Sequence, residues 1–192
     1  MRYWMITTFA LTLAAVPAMA LSQDVSASGA GAMQAGAGGS PMLGTAPQTY
    51  AAMAADSDMY EIQSSRLALS KSRNAGVKTL AREMIADHMT TTKTLMAALP
   101  RTKPRIPAPP KTLSAENAAM IAQLRQASAS DFDALYLQQQ LQAHRKAWSL
   151  HQGFATDGAD PALRSVAASA VPIIERHLQH LQSMPAGGMS RM

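Results

Sequence analysis

The sequence predicts an all-α protein, a four-helix bundle whose long middle connection carries a short extra helix. Apolar residues between about residues 52 and 184 recur at helical spacing in four long runs. No run alternates with the period of two that a half-buried strand requires. Each helix therefore has one apolar face, and four such faces are best buried against one another.

The N-terminus has the features of a secretory signal peptide. Arg2 precedes an apolar stretch from about Met5 to Val16, and Ala18 and Ala20 form an A-x-A cleavage pattern. The apolar stretch is shorter than the roughly 20 residues that a membrane-spanning helix needs. We therefore expect residues 1–20 to be removed near Ala20, and we expect a periplasmic or otherwise secreted protein.

Residues 21–50 are rich in glycine, alanine and serine and lack periodic apolar spacing. Such a segment buries too little surface to offset its chain entropy, so it predicts a flexible tether. The bundle domain then spans residues 51–185, followed by a disordered tail over residues 186–192. The chain contains no cysteine, which excludes disulfides and thiolate metal sites.

Capping residues place the first two long helices. The acidic group at residues 56–58 predicts an N-cap and a first helix over about residues 58–73. Asn74 and Gly76 predict a tight reversal, followed by a second helix from about Val77 to Leu99. Pro100 and a proline-rich stretch end that helix.

The remaining helices follow the same signals. Ser114 predicts the cap of a short helix that ends near Ala127, and Ser130 or Asp131 opens the third long helix. Asp160 and Pro161 fit the N-cap and the first position of the last helix, which runs to about residue 184.

Three of the long helices place a histidine on the apolar face, where an unsatisfied ring is costly. In a plain up-down-up-down bundle, the heights of His88, His144 and His177 would differ by roughly 16 Å. If the middle connection instead returns the chain to the top, the spread falls to roughly 7 Å and Glu61 lies at a similar height. The histidines therefore favour the crossover, which is the ferritin-like form of the bundle.

This arrangement suggests a metal site. Imidazole and carboxylate ligands would suit zinc, copper, manganese or iron. The candidate ligands are Glu61, His88, His144 and His177, and the candidate supporting residues around them are Asp87, Asp133 and Tyr136. The alternative is a hydrogen-bonded cluster that fixes the helix register and binds nothing. His151 and His180 lie farther along their helices, and we expect them at the rim.

The chain also resembles a bacterial secreted family, domain of unknown function 4142. The matching segments are YEIQSSRLALSKSRNAGVKTLAREMIADH, FDALYLQQQLQAH and AVPIIERHL. The resemblance implies an extracytoplasmic, ferritin-like bundle, often labelled an outer-membrane protein, of unestablished biochemistry. The family's recurrent polar residues fall on Glu61, Asp87, His88, Asp133, Tyr136, His144 and His177.

Ferritin-like di-iron proteins use Glu-x-x-His pairs, and this chain lacks them. Glu83 lies five residues before His88, and Glu175 lies two before His177, so neither pair shares a helix face. Oxygen-activating di-iron chemistry is therefore not expected. The chain also lacks nucleophile-elbow, phosphate-loop, HExxH and dinucleotide motifs, so the sequence favours a role other than catalysis.

Four cations lie in the proline-rich stretch RTKPRIPAPPK: Arg101, Lys103, Arg105 and Lys111. They could contact anionic surfaces, or the stretch could be a solvated connection that proline keeps extended. With 5% aromatic residues, nucleic-acid binding is not expected. The sequence predicts first a structural or interaction module of the cell envelope, and as the alternative a metal-binding, redox-active bundle.

Overall fold

The computed structural model describes residues 39–184, and helices account for most of them. No strand occurs in this range, which confirms the predicted all-α class. The helices are α1 (Pro47–Lys71), α2 (Ala75–Ala98), α3 (Ala115–Gln126), α4 (Phe132–Asp157) and α5 (Pro161–Ser183). The predicted signal peptide (1–20), tail (186–192) and most of the tether lie outside the described residues.

Three helix starts follow the capping signals of the sequence. The side chain of Asn74 accepts hydrogen bonds from the backbone at the start of α2. Ser114 does the same for α3, and Asp160 for α5, where Pro161 occupies the first helical position. Each cap satisfies a backbone N–H that the helix itself leaves without a partner.

Helix α1 begins earlier than the sequence predicts, at Pro47 instead of residue 58. The acidic residues 56–58 therefore lie inside the helix and do not cap it. The additional turns are held by burial, because Tyr50 is fully buried and its ring stacks on Phe154 at a centroid distance of 4.0 Å. This apolar anchor lies in a segment whose composition otherwise resembles a linker.

The segment before α1 also packs on the bundle. The backbone N–H of Met42 donates to the carbonyl of Ser149 at 2.8 Å, and that of Gly44 donates to Asp157 at 2.7 Å. Gly153 allows this contact, because a Cβ atom at that position would overlap the backbone of Met42. Residues 39–50 are therefore part of the folded unit, and the predicted tether boundary at residue 50 is too late.

Side-chain contacts define how the long helices run. Tyr50 meets Phe154 near one end of α1, and Ser65 meets Tyr136 farther along, so α1 and α4 are antiparallel. Helix α2 follows α1 through a short turn and is antiparallel to it as well. Helices α2 and α4 therefore run in the same direction, and the connection between them returns along the length of the bundle.

This connection is attached to α1 along its course. The carboxylate of Asp56 accepts hydrogen bonds from Ser114 and Asn117 at the start of α3. At the other end, the ammonium group of Lys71 donates to the carbonyls of Leu124, Arg125 and Ala127 at 2.7–3.0 Å. A cation at the C-terminus of a helix also interacts favourably with the helix dipole.

Within residues 39–184, no helix is both long enough and apolar enough to span a bilayer.

We expect Gly153→Ala to release residues 39–46 from α4, because the added methyl group would occupy the space of the Met42 backbone. Hydrogen exchange should show faster exchange of the Met42 amide, while amides in the middle of α2 stay protected. Unchanged protection at Met42 would contradict the close approach.

Candidate metal centre

Helix α2 places His88 in the interior, 3% exposed, facing α1. Its Nδ1 lies 2.8 Å from a carboxylate oxygen of Asp58. Asp58 also accepts hydrogen bonds from the hydroxyls of Thr91 and Thr92, both at 2.9 Å. A carboxylate can only accept, so Nδ1 carries a proton, and the opposite nitrogen, Nε2, is buried without a partner.

His144 projects from α4 and is fully buried. Its Nδ1 donates to the backbone carbonyl of Gln140, one turn earlier, at 2.9 Å. Glu61 Oε1 lies 3.4 Å from the same nitrogen, but the angle does not make a hydrogen bond. A carbonyl can only accept, so the proton of neutral His144 lies on Nδ1 and the lone pair lies on Nε2.

His177 on α5 completes the group. Its Nε2 lies 2.9 Å from Asp87, which also accepts from Arg176 at 2.8 Å. These hydrogen bonds lower the pKa of Asp87, although its partial burial acts in the opposite direction. Because Asp87 is therefore ionised, the proton of neutral His177 lies on Nε2, and the lone pair lies on Nδ1.

The remaining nitrogens of the three rings converge. One nitrogen from each of His88, His144 and His177 lies within 4.8 Å of the others. His144 Nε2 and His177 Nδ1 are 3.1 Å apart, although the proton assignment leaves a lone pair on each. Two facing lone pairs repel, so this contact is favourable only with a proton or a cation between them.

The closest pair of these nitrogens also has the spacing of two ligands on one metal ion. Zinc binds imidazole nitrogens at about 2.0–2.1 Å, so two ligands of a tetrahedral ion are roughly 3.3 Å apart. The 3.1 Å separation of His144 and His177 is close to that value. Three protein nitrogens also leave a fourth coordination position for water or another ligand.

The family-model comparison covers the same residues. The model described as Domain of unknown function (DUF4142) matches residues 32–184, which includes every helix described here and all the candidate ligands. The chain belongs to this family. No curated protein and no solved structure matches it. The evidence about the site of this DUF4142 domain is therefore the arrangement of its own residues.

Burial keeps two of the three rings neutral. It lowers the pKa of His177 to about 4, and lowers that of His144 well below the usual value, with the neighbouring His88 adding to both shifts. Neutral imidazole is the form that binds a metal. Burial acts the same way on His88, but the hydrogen bond to Asp58 and the charges of Glu61 and Asp87 outweigh it and raise the pKa.

Glu61 is the most unusual carboxylate of the DUF4142 domain. It is fully buried, and neither of its oxygens has a hydrogen-bond partner. Burial raises its pKa to about 8, and Asp58 adds to this rise, while His88 and Gln140 oppose it. A carboxyl group that remains protonated near neutral pH has little electrostatic compensation in its surroundings.

The structure brings together three of the four predicted ligands. Glu61 is adjacent to them, but it lies on the Nδ1 side of His144, outside the group of converging nitrogens. Asp87 accepts a hydrogen bond from the ring of His177. The hydroxyl of Tyr136 instead bonds Ser65 at 2.9 Å, and Asp133 Oδ1 is buried without a partner.

Sequence reasoning missed Asp58, which we had assigned to a helix cap. It lies three residues before Glu61, so the two carboxylates share one face of α1. The spacing of Asp58 and Glu61 could have predicted this shared face, but only if Asp58 had been placed inside α1. Each ring therefore has a carboxyl group near the nitrogen that points away from the other two rings. The pairs are Asp58 with His88, Glu61 with His144 and Asp87 with His177.

The rim position predicted for His151 is wrong. The side chain is buried, its Nδ1 lies 3.0 Å from the hydroxyl of Tyr50, and their rings meet edge to face. The early start of α1 explains the difference, because it adds the turn that covers His151. His180 does lie on the surface, where it contacts Glu83 at 3.0 Å.

His151 gives the DUF4142 domain a pH-dependent stability that can be measured. Burial lowers the pKa of His151 to about 4, against about 6.5 in the unfolded chain. Its contribution to stability is therefore complete above about pH 6.5 and is lost as the pH falls towards 4. By linkage the loss by pH 4.5 is about 2–3 kcal/mol.

We expect His151→Gln to reduce the fall in unfolding free energy between pH 7.5 and 4.5 by about this amount. Urea denaturation at both pH values measures it, and the exposed His180→Gln is the matched control. An equally steep fall in wild type and His151→Gln would contradict the buried, neutral state of His151.

Proposed function

We propose that this protein binds one transition-metal ion, zinc, copper, manganese or ferrous iron, through His88, His144 and His177. The observation that carries the proposal is the 3.1 Å contact between His144 Nε2 and His177 Nδ1. The other nitrogen of each ring already donates to an acceptor, so a neutral pair has no proton for this contact. A bound cation would convert a repulsive contact into two coordinate bonds.

The orphaned polar atoms support the same proposal. A hydrogen-bonded cluster that only fixes register would satisfy its own donors and acceptors. Here His88 Nε2 and both oxygens of Glu61 are buried without partners. Each such group costs about 1–3 kcal/mol. A cation among the rings would use the free nitrogen of His88 and would place positive charge near Glu61.

We also propose that the fold is a ferritin-like four-helix bundle. The support is the pair of parallel helices, α2 and α4, joined by a connection that runs along α1. Within that fold the ligand set differs from the carboxylate-rich di-iron type, because imidazoles face the centre and carboxylates stand behind them. This set favours a single ion.

The three outer carboxylates are suited to tuning such an ion. Each lies near a ring nitrogen that points away from the centre, and a carboxylate in that position orients the ring and raises its basicity. Asp58, held by two threonine hydroxyls, is the most firmly positioned of them. The open fourth position would allow ligand exchange or, with copper or iron, a change of oxidation state.

We further propose that the chain is exported through the N-terminal signal peptide and acts in the periplasm. The support is Arg2, the apolar stretch that follows it and the A-x-A pattern that ends at Ala20. An interaction role at the cell envelope is the second candidate function. It is favoured by the exposure of Arg101, Lys103, Arg105 and Lys111, which is argued in the next subsection.

We expect the protein to bind one metal ion per chain and to lose it on chelation. Protein purified without chelators should contain stoichiometric metal by mass spectrometry, and adding Zn²⁺, Cu²⁺, Mn²⁺ or Fe²⁺ to stripped protein should raise the melting temperature. Absence of stoichiometric metal together with no rise in melting temperature would overturn the proposal.

Single substitutions distinguish the proposed metal ligands from the carboxylates that hydrogen-bond to their rings. We expect His144→Gln to weaken metal binding by at least about 100-fold, and Asp58→Asn to weaken it by about 10–100-fold. His151→Gln is the matched control, since it replaces a buried histidine outside the group and should leave affinity unchanged. Equal affinities of His144→Gln and His151→Gln, measured by isothermal titration calorimetry, would show that the rings are not ligands.

A further inference from the structure

The segment from residue 89 to residue 115 carries only positive charge. It contains five cations and no carboxylate: Lys93, Arg101, Lys103, Arg105 and Lys111. All five side chains are exposed, and none forms an ion pair with another residue between 39 and 184. This segment therefore contributes positive charge and no negative charge to the protein surface.

Exposed apolar side chains lie beside two of these cations, Lys93 and Lys111. Met89 is 53% exposed and Met96 is 38% exposed, and both are on the outer face of α2. Lys93 lies between them, because residues 89, 93 and 96 follow the spacing of one helix face. Helix α2 ends at Ala98, and Arg101 follows in a short turn at this end of the helix.

Met96 also borders an apolar groove of about 330 Å³ between α1, α2 and the middle connection. Its walls include Met59 and Ile62 from α1, and Pro109, Pro110 and Lys111 from the connection. Met89, Met96, this groove and the five cations together form what we call the basic-apolar surface.

We propose that the basic-apolar surface docks the protein onto an anionic phospholipid bilayer. The cations would contact headgroup phosphates, and the methionines would enter the interface between headgroups and acyl chains. Charge complementarity selects the partner, since no carboxylate of this segment opposes an anionic surface. Juxtaposed cations and flexible apolar side chains suit a bilayer better than a hydrophilic polyanion, which would use only the charges. This proposal does not depend on the metal site.

Vesicle binding of the full chain tests the proposal. We compare vesicles of neutral phosphatidylcholine with vesicles that contain phosphatidylglycerol, by co-sedimentation at two salt concentrations. We expect binding only to the anionic vesicles, and weaker binding at high salt. Equal binding to both vesicle types would overturn the proposal.

Two sets of variants assign the binding to this surface. The first replaces four cations with glutamine, at Arg101, Lys103, Arg105 and Lys111; its control replaces four exposed arginines elsewhere, at Arg66, Arg73, Arg125 and Arg145. Both sets remove the same net charge. At about 1 kcal/mol per cation, we expect the first set to weaken partitioning by on the order of 100-fold or more, and the control set to weaken it far less. Equal losses would overturn the assignment.

The methionines distinguish a bilayer from a general polyanion. We expect the double variant Met89→Ser and Met96→Ser to weaken vesicle binding about 5- to 10-fold, while Leu43→Ser, which alters an exposed leucine elsewhere, has no effect. Binding to duplex DNA is measured in parallel. If the methionine variant binds vesicles as wild type does, and DNA competes for the same cations, the surface is a polyanion site and the lipid proposal fails.

Discussion

The packing of this protein depends on burying three imidazole rings at one level of the bundle. His88, His144 and His177 come from three different helices, and their ring centroids are 5.2–5.5 Å apart. A shift of α4 or α5 by one helical turn would move a ring by about 5.4 Å and would separate the nitrogens. The polar centre therefore fixes the register of helices whose apolar faces would tolerate other alignments.

The carboxylates extend this constraint to the fourth helix. Asp58 and Glu61 belong to α1, so the rings of α2 and α4 are each placed against it. Asp87 on α2 holds His177 on α5. All four long helices thus contribute side chains to one buried polar cluster. The carboxylates of Asp58 and Asp87 would supply negative charge behind two of the rings if an ion were bound between them.

Much of this arrangement could be predicted from sequence because it rests on periodicity. The apolar stripes of α2 and α5 predict the residues that are buried there, from Val77 to Leu95 and from Leu163 to Leu181. Helix lengths and the long connection between α2 and α4 allow a crossover, and the three histidines favour it if they form one site. Local capping chemistry also predicts the starts of α3 and α5, while the start predicted for α2 at Val77 lies two residues after the observed start at Ala75.

The errors share one physical cause, which is that tertiary contacts overrode local composition. The composition up to residue 50 resembles a linker, but the early turns of α1 are buried through Tyr50, which stacks on Phe154, and through Ala51 and Ala54. Tyr50 and Phe154 are far apart in the sequence, so local sequence patterns cannot predict their contact. Because the sequence predicts that α1 begins at residue 58, it assigns Asp58 to the helix cap. It also predicts a rim position for His151, which the earlier turns of α1 in fact cover.

The close approach of Met42 to Gly153 has a practical consequence for anyone who isolates this domain. A recombinant fragment that starts at residue 51, where composition suggests the domain begins, would lack both Met42 and Tyr50. Phe154 and His151 would then lose the aromatic ring that covers them. A fragment that also retains the hydrogen bond from the Ser149 hydroxyl to the backbone carbonyl of Ser40 begins at or before Ser40.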